Sequence, residues 1–203
     1  YLNEAALLLE EGAPIGRVDQ AMRRFGMPMG PVELIQQVGF SVVQHAGQVM
    51  QEAFPERLHG AALLGRLKAD QPFYVGTKKR KIPNLAVEGL LAEIRRERGV
   101  EPKRDWTDEA IQDRLVLPMV NEAAFALAEG VVASPAEVDL AMIFGTGFAP
   151  FRGGLLRHAD AVGTRVCLEG LERLEASSGK RFAPAPMLRE MGRAARPFHI
   201  LTS

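Results

Sequence analysis

YLNEAALLLEEG at Tyr1–Gly12 and MVNEAAFALAEG at Met119–Gly130 are two versions of one stretch, sharing the Asn-Glu-Ala-Ala core and the closing Glu-Gly. The likeness continues in order: VDQAM at Val18–Met22 returns as VDLAM at Val138–Met142. A glycine-proline block follows each, FGMPMGP at Phe25–Pro31 and GTGFAPFRGG at Gly145–Gly154, and each copy then reaches a further glycine at Gly39 or Gly163. Chance likeness between amphipathic helices could reproduce one such block, but not four in one order, so the chain carries an internal duplication. DRLVLP at Asp113–Pro118 precedes the second copy, and its counterpart in the first would lie upstream of Tyr1. Without an initiator methionine, the chain reads as a C-terminal piece of something longer.

With 203 residues, 47% hydrophobic and 25% charged, the chain can bury a real core in one domain or two small ones, and a disordered chain is not expected. Lys+Arg and Asp+Glu both number 25, so no global field gathers nucleic acid or an anionic membrane. The single cysteine, Cys167, has no internal partner, and no stretch approaches the ~20 apolar residues of a membrane span or resembles a signal peptide. A reducing, soluble compartment fits this usage.

Helical period dominates. Leu2, Ala5, Ala6 and Leu9 stand at i, i+3, i+4, i+7, as do Val18, Ala21, Met22 and Phe25, and again Val87, Leu90, Leu91 and Ile94. Ser134-Pro135 with Glu137 forms a capping box ahead of a helix, and Gly12 and Gly130 suit left-handed C-caps. The best strand candidate, PFYVGTKKRKIPN at Pro72–Asn84, reads either as a short hairpin or as a plain loop. An all-α fold follows, with one copy over residues 1–100 and the second over 101–203, and a linker from roughly Gly60 to Arg104 joining them.

The residues show no self-contained active site. Neither G-x-S-x-G nor a recognised cysteine–histidine pairing is present, and His45, His59, His158 and His199 lack metal-ligand spacing. Only His158, close to Arg157 and Asp160, draws notice, and a local hydrogen bond accounts for it. The glycines at Gly145–Gly147 and Gly153–Gly154 follow a helix, whereas a dinucleotide loop needs a preceding strand, so Gly147–Pro150 reads as a helix-to-helix turn. KKRK at Lys78–Lys81 reads as a solvated loop, with a contact to a phosphorylated ligand as the alternative and a nuclear signal or nucleic-acid patch disfavoured by the neutral rest of the chain.

The run Tyr1-Leu-Asn-Glu-Ala, the x-x-D-x-A-M helix, FGMPMGP leading into LIQQVG, and then LPMVNEA, EVDLAM and GTGFAPFRGG resemble the C-terminal region of 3-hydroxyacyl-CoA dehydrogenases. The tandem form is similar to the multifunctional alpha subunit of fatty-acid β-oxidation complexes. The resemblance covers nearly all of Tyr1–Gly163. It implies two tandem, pseudo-two-fold-related helical domains of the 6-phosphogluconate dehydrogenase C-terminal-like kind, equivalent to a fused dimer. It implies NAD in the parent enzyme, bound by a Rossmann domain not included here, and no cofactor on this stretch alone. It also implies acyl-CoA as substrate, the parent's own Rossmann and crotonase-like domains, a thiolase subunit and self-association as partners, and a bacterial cytoplasm, with an organellar matrix as alternative.

In that family the histidine–glutamate pair lies in the Rossmann domain and a further asparagine, in an Asn-Arg pair, lies just ahead of the helix that opens at Tyr1. The resemblance therefore places the catalytic residues upstream of Tyr1. In the second copy Arg114 falls on the arginine of that pair and Asp113 on the asparagine, and an aspartate does not donate as an amide does, so Asp113 receives no catalytic role. Met29, Gly30, Pro31 and Leu34 are the candidates for lining the acyl side of the cleft, against the alternative that Met29 and Leu34 are ordinary core residues. Gln36 and Ser41 stand where acidic residues are usual, which implies that the first copy lacks a buried charge contact, and Pro72-Phe-Tyr keeps only the aromatic part of the usual glycine-lysine-rich approach. The tail from Ser177 to Ser203 carries no readable motif. A non-enzymatic helical interaction module that kept the fold and lost the chemistry is the competing expectation.

Overall fold

The structure, a computed structural model, describes residues 1–68, 71–77 and 80–199. It divides into two compact units. Unit 1 comprises Tyr1–Arg24 and Met29–Gln112, and unit 2 comprises Phe25–Pro28 and the chain from Asp113 onward.

Unit 1 opens with α1 (Leu2–Glu10), α2 (Ile15–Phe25), α3 (Pro31–Val38), α4 (Phe40–Ala53) and α5 (Ala62–Arg66). Ala5, Ala6 and Leu9 of the first stripe, and Val18, Ala21 and Met22 of the second, are fully buried. The Pro72–Asn84 stretch is a hairpin: β1 (Tyr74–Thr77) pairs antiparallel with β2 (Arg80–Pro83), Tyr74 facing Pro83 and Thr77 facing Arg80. Lys78 and Lys79, half of the basic run, lie outside the described residues. Phe73, just ahead of β1, is fully buried and meets the Phe40 ring edge-on at 5.7 Å, which anchors the hairpin to the core.

Much of the described part of the stretch between Gly60 and Arg104, expected as a linker, instead folds into this core. Both α5 and α6 (Leu85–Arg98) pack on α1. The Val87, Leu91 and Ile94 stripe of α6 is buried, Arg95 donates to the Leu9 carbonyl at 3.1 Å, and Arg98 pairs with the buried Glu10 at 2.6 Å. An apolar stripe at helical period has to be covered by something, and α1 covers it. Asn84 caps the start of α6 by accepting from Ala86 N–H, and Gly99 ends it in the left-handed region.

Unit 2 is built from α7 (Asp108–Ala128, counted here from Asp113), α8 (Pro135–Thr146), α9 (Leu155–Val162), α10 (Thr164–Ser178) and α11 (Pro186–Ala194), with short 3-10 turns at Pro150–Arg152 and Lys180–Phe182. α10 packs against α9 and α11, and α8 against α9. The capping box at α8 forms, with Ser134 accepting from Glu137 N–H at 3.3 Å, while Glu137 reaches back to Ala133 N–H at 3.0 Å. Gly147 ends α8 in the left-handed region and Pro150–Arg152 turns the chain toward α9, the helix-to-helix turn expected from the glycines. Phe25 belongs to this unit: its ring meets Phe148 at 5.6 Å and His158 at 5.0 Å, and its carbonyl accepts from Arg152 Nε at 2.8 Å. Apart from the hairpin, the described elements are helices, so the fold is all-α.

Candidate functional site

The x-x-D-x-A-M motif is a helix cap. Asp19 projects from α2, and its carboxylate accepts from Val32 N–H at 2.8 Å and Glu33 N–H at 3.2 Å, the free donors at the start of α3. In unit 2, Asp139 of α8 accepts from Leu156 N–H at 2.6 Å and Arg157 N–H at 3.3 Å at the start of α9. Both carboxylates are buried, and burial pushes each carboxyl above its ordinary range, against the opposing pull of these N–H donors. The glycine before each helix is required by this contact. A Cβ on Gly30 would sit 2.2 Å from Asp19 Oδ1, and one on Gly154 would sit 2.3 Å from Asp139 Cβ.

This cap holds the stretch that carries the sequence candidates. Gly30 and Pro31 are buried at the start of α3, whereas Met29 and Leu34 are half-buried and keep part of their side chains in reach of solvent. Glu33, between them, pairs with both Arg23 and Lys81, so the hairpin and α2 are tied to the same helix. A separate cavity of about 280 Å³ in unit 1 is lined by residues including Asn3, Gln44, Gly47, Gln51 and Leu64, a set without Met29, Gly30, Pro31 or Leu34.

Two further pairs of residues were not legible as functional in the sequence. Asn3, inside the repeated NEAA, donates to the His59 carbonyl at 2.8 Å and accepts from Ala61 N–H at 2.9 Å; Asn121 does the same with the Ala183 carbonyl at 3.0 Å and Ala185 N–H at 2.7 Å. Each asparagine clamps a distant loop through both amide atoms. Tyr74 donates its hydroxyl to Asp19 at 2.6 Å, and His199 places Nε2 3.1 Å from Asp139. The signal for that second pair exists, because Pro72-Phe-Tyr returns as Pro197-Phe-His within the tail. Gln36 accepts from Tyr74 N–H at 3.0 Å, while Asp160 of α9 accepts from Phe198 N–H at 2.7 Å and His199 N–H at 3.0 Å. The neutral amide of Gln36 thus keeps the backbone contact in unit 1, while the acid is kept in unit 2.

The remaining candidates hold structure. His158 is pushed down to about 4 by burial, with Arg152 adding to the effect, so it is neutral between the Phe25 and Phe148 rings. The Cys167 thiol is pushed up to about 11 by burial first, then by Asp113 and Asp160. Arg114 is buried, bonded to Ser178 Oγ at 3.1 Å with its guanidinium 4.9 Å from the Phe182 ring centre. Among the described residues no group of three His, Cys, Asp or Glu side chains could hold a metal ion, and no helix is long and apolar enough to cross a membrane. The Gly145–Gly147 turn does not fit a pyrophosphate: Gly147 N–H is spent on the Ile143 carbonyl at the C-terminal end of α8, whereas a dinucleotide loop offers free N–H donors at a helix N-terminus behind a strand.

Two copies of one helical module, each stitched by an asparagine clamp and an aspartate cap, define a tandem all-helical protein. The family model of the 3-hydroxyacyl-CoA dehydrogenase C-terminal domain matches residues 1–80 and again residues 111–197, and the chain belongs to that family. The fatty acid oxidation complex subunit alpha of Shewanella loihica is 36% identical over 209 residues, covering 98% of this chain and 29% of the relative. That of Idiomarina loihiensis is 35% identical over 201 residues, 94% of this chain and 27% of the relative. The chain therefore spans less than a third of these curated relatives. The crystal structure of 3-hydroxybutyryl-CoA dehydrogenase from Escherichia coli K12 has a similar fold, with a TM-score of 0.69 over 96% of this chain and 58% of that one at 19% identity.

Proposed function

We propose that this chain is the helical, substrate-side region of an NAD-dependent 3-hydroxyacyl-CoA dehydrogenase of fatty-acid β-oxidation, working with an upstream dinucleotide-binding domain and inert without it. The observation that carries this reading is the rigidly held Met29–Leu34 stretch. Asp19, Tyr74, Glu33, Arg23 and Lys81 converge on the start of α3, leaving Met29 and Leu34 partly open between buried Gly30 and Pro31. Such a surface orients an acyl chain and keeps water from the reacting carbon, which is what an apolar wall contributes to hydride transfer. NAD, when bound by the upstream domain, accepts the hydride; this chain's residues bind and exclude.

The recurring polar side chains Asn3, Asn121, Asp19 and Asp139 are engaged in clamping and capping, which supports catalysis residing upstream. The same reading assigns residues 1–100 and 101–203 as the duplicated copies, gives the region as a whole a dimerisation and assembly role, and places the protein in a bacterial cytoplasm, with an organellar matrix as the alternative, and a thiolase subunit as partner. The test follows NADH consumption with acetoacetyl-CoA, comparing this chain with one extended upstream through a dinucleotide-binding domain. Turnover is expected in the extended form alone. Turnover by the 203-residue chain would overturn the division of labour, and silence in both would favour a non-enzymatic interaction module.

A further inference from the structure

The duplication allows one helix face to be compared between the copies. Val18–Met22 of α2 matches Val138–Met142 of α8, so Arg17, Gln20, Ala21 and Arg24 have Glu137, Leu140, Ala141 and Phe144 as counterparts. In unit 1 that face of α2 is covered by the chain that opens α7. Arg17 Nε donates to the Trp106 carbonyl at 3.3 Å, Asp108 pairs with Arg17 at 3.0 Å and with Arg24 at 2.7 Å, and Gln112 donates to the Ala21 carbonyl at 2.8 Å. Ala21 is fully buried there. In unit 2 the same face of α8 is open: Ala141 is exposed, and Leu140 and Phe144, one helical turn apart, are 55% and 83% exposed. These residues make α8 apolar on its outward side as well as toward the core, which is the composition of a covered helix.

We propose that the outward face of α8 is the seat of a short segment upstream of Tyr1, the first copy's counterpart of Asp108–Gln112. The proposal rests on the continuation of the chain into an upstream domain. The repeat gives the segment its place. Helix α7 runs from Asp108 through Pro118 into the repeated MVNEAA, and its first residues, Asp108–Gln112, belong to unit 1 while the rest builds unit 2. Tyr1 is the counterpart of Met119, so the segment equivalent to Asp108–Gln112 lies about seven to eleven residues before Tyr1.

Charge decides what that segment presents. Asp108 meets two arginines in unit 1, but α8 has Glu137 and Phe144 at those positions, so a carboxylate there would face a like charge and an aromatic ring. Glu137, the exposed charge of α8, is engaged in the capping box through Ala133 N–H. The segment that fits α8 therefore lacks the acid and sets an apolar side chain against Leu140 and Phe144. A phenylalanine covered in this way removes about 150–250 Å² from water, which is the driving force for seating.

The measurement is thiol labelling of Ala141→Cys in the 203-residue chain and in the same chain extended upstream through the segment. An extension of about a dozen residues carries the segment and is too short to form a domain, so shielding by it is not shielding by the dinucleotide-binding domain. Cys167 is buried with its thiol pushed up to about 11, so it adds little background. Ala141→Cys is expected to label readily in the 203-residue chain and about tenfold or more slowly in the extended one. Adding Phe144→Asp, which puts a charge on the seat, should restore fast labelling in the extended chain. Amide exchange on the unsubstituted chains gives the same reading without a cysteine: Ala141 and Phe144 are expected to gain protection from the extension, while Leu171 in α10 stays level. Equal labelling and equal exchange in the two forms would overturn the proposal. So would labelling of the 203-residue chain that slows as its concentration rises, because a second copy would then be the occupant of α8. None of these readouts needs turnover, so failure of the seat and failure of the dehydrogenase reading are told apart.

Discussion

A single methyl group tests the capping arrangement at the scale of one residue. Gly30 has an ordinary extended conformation, φ −72°, so glycine is not needed there for the backbone. It is needed because Asp19 lies against its Cα, and the added Cβ of Gly30→Ala would meet three aspartate atoms within 2.3 Å. Either the carboxylate withdraws and strands the N–H groups of Val32 and Glu33, or α3 shifts. Both routes lead to a loss on the order of 2–3 kcal/mol. Gly154→Ala should lose at least as much, because its φ of +116° adds backbone strain to the clash with Asp139. Urea unfolding of the two variants gives the comparison; a loss below about 0.5 kcal/mol in Gly30→Ala would mean that the cap relaxes freely.

Among the elements, α6 shows where reading the chain succeeded and where it stopped. The Val87, Leu91 and Ile94 stripe was legible as a helix because helical period survives without knowledge of a partner. Its membership of the core was not legible, because the covering helix α1 lies more than 80 positions earlier, and its ties are Arg95 to Leu9 and Arg98 to Glu10. The Asn3 and Asn121 clamps were hidden for the same reason: a motif shows which residue recurs, and the loops they hold are 56–64 positions away. The Pro197-Phe-His echo was short and far from the other repeated blocks, and only the shared aspartate contact makes it meaningful. If α6 is core, Ile94→Ala, at 1% exposure, should cost about 2–4 kcal/mol. Leu85→Ala on the same helix, 79% exposed, should stay within about 0.5 kcal/mol. Equal effects at the two positions in denaturant unfolding would return the stretch to the status of a linker.

For the whole molecule, duplication in sequence and division in space do not coincide. The four residues Phe25–Pro28 belong by order to the first copy's FGMPMGP block, yet they are part of unit 2. Phe25 is 4% exposed; its ring packs edge-on to Phe148 and His158, and the Arg152 guanidinium sits 4.1 Å from its centre while Nε bonds its carbonyl. Residues 113–203 expressed alone would therefore carry the second copy's sequence without one wall of its core. Phe148, fully buried in the chain, and His158, neutral by burial, would face water or collapse inward. Two small helical units of this size have little stability to spare, and truncating a buried phenylalanine costs about 3–5 kcal/mol. The expected outcome is that residues 113–203 show poor NMR dispersion, that Phe25→Ala in the intact chain weakens unit 2 by that amount, and that Phe148 and His158 report the change. A separate piece as well ordered as the same residues in the intact chain would show that the second copy closes its core unaided, and the Phe25 contacts would then be incidental to its folding.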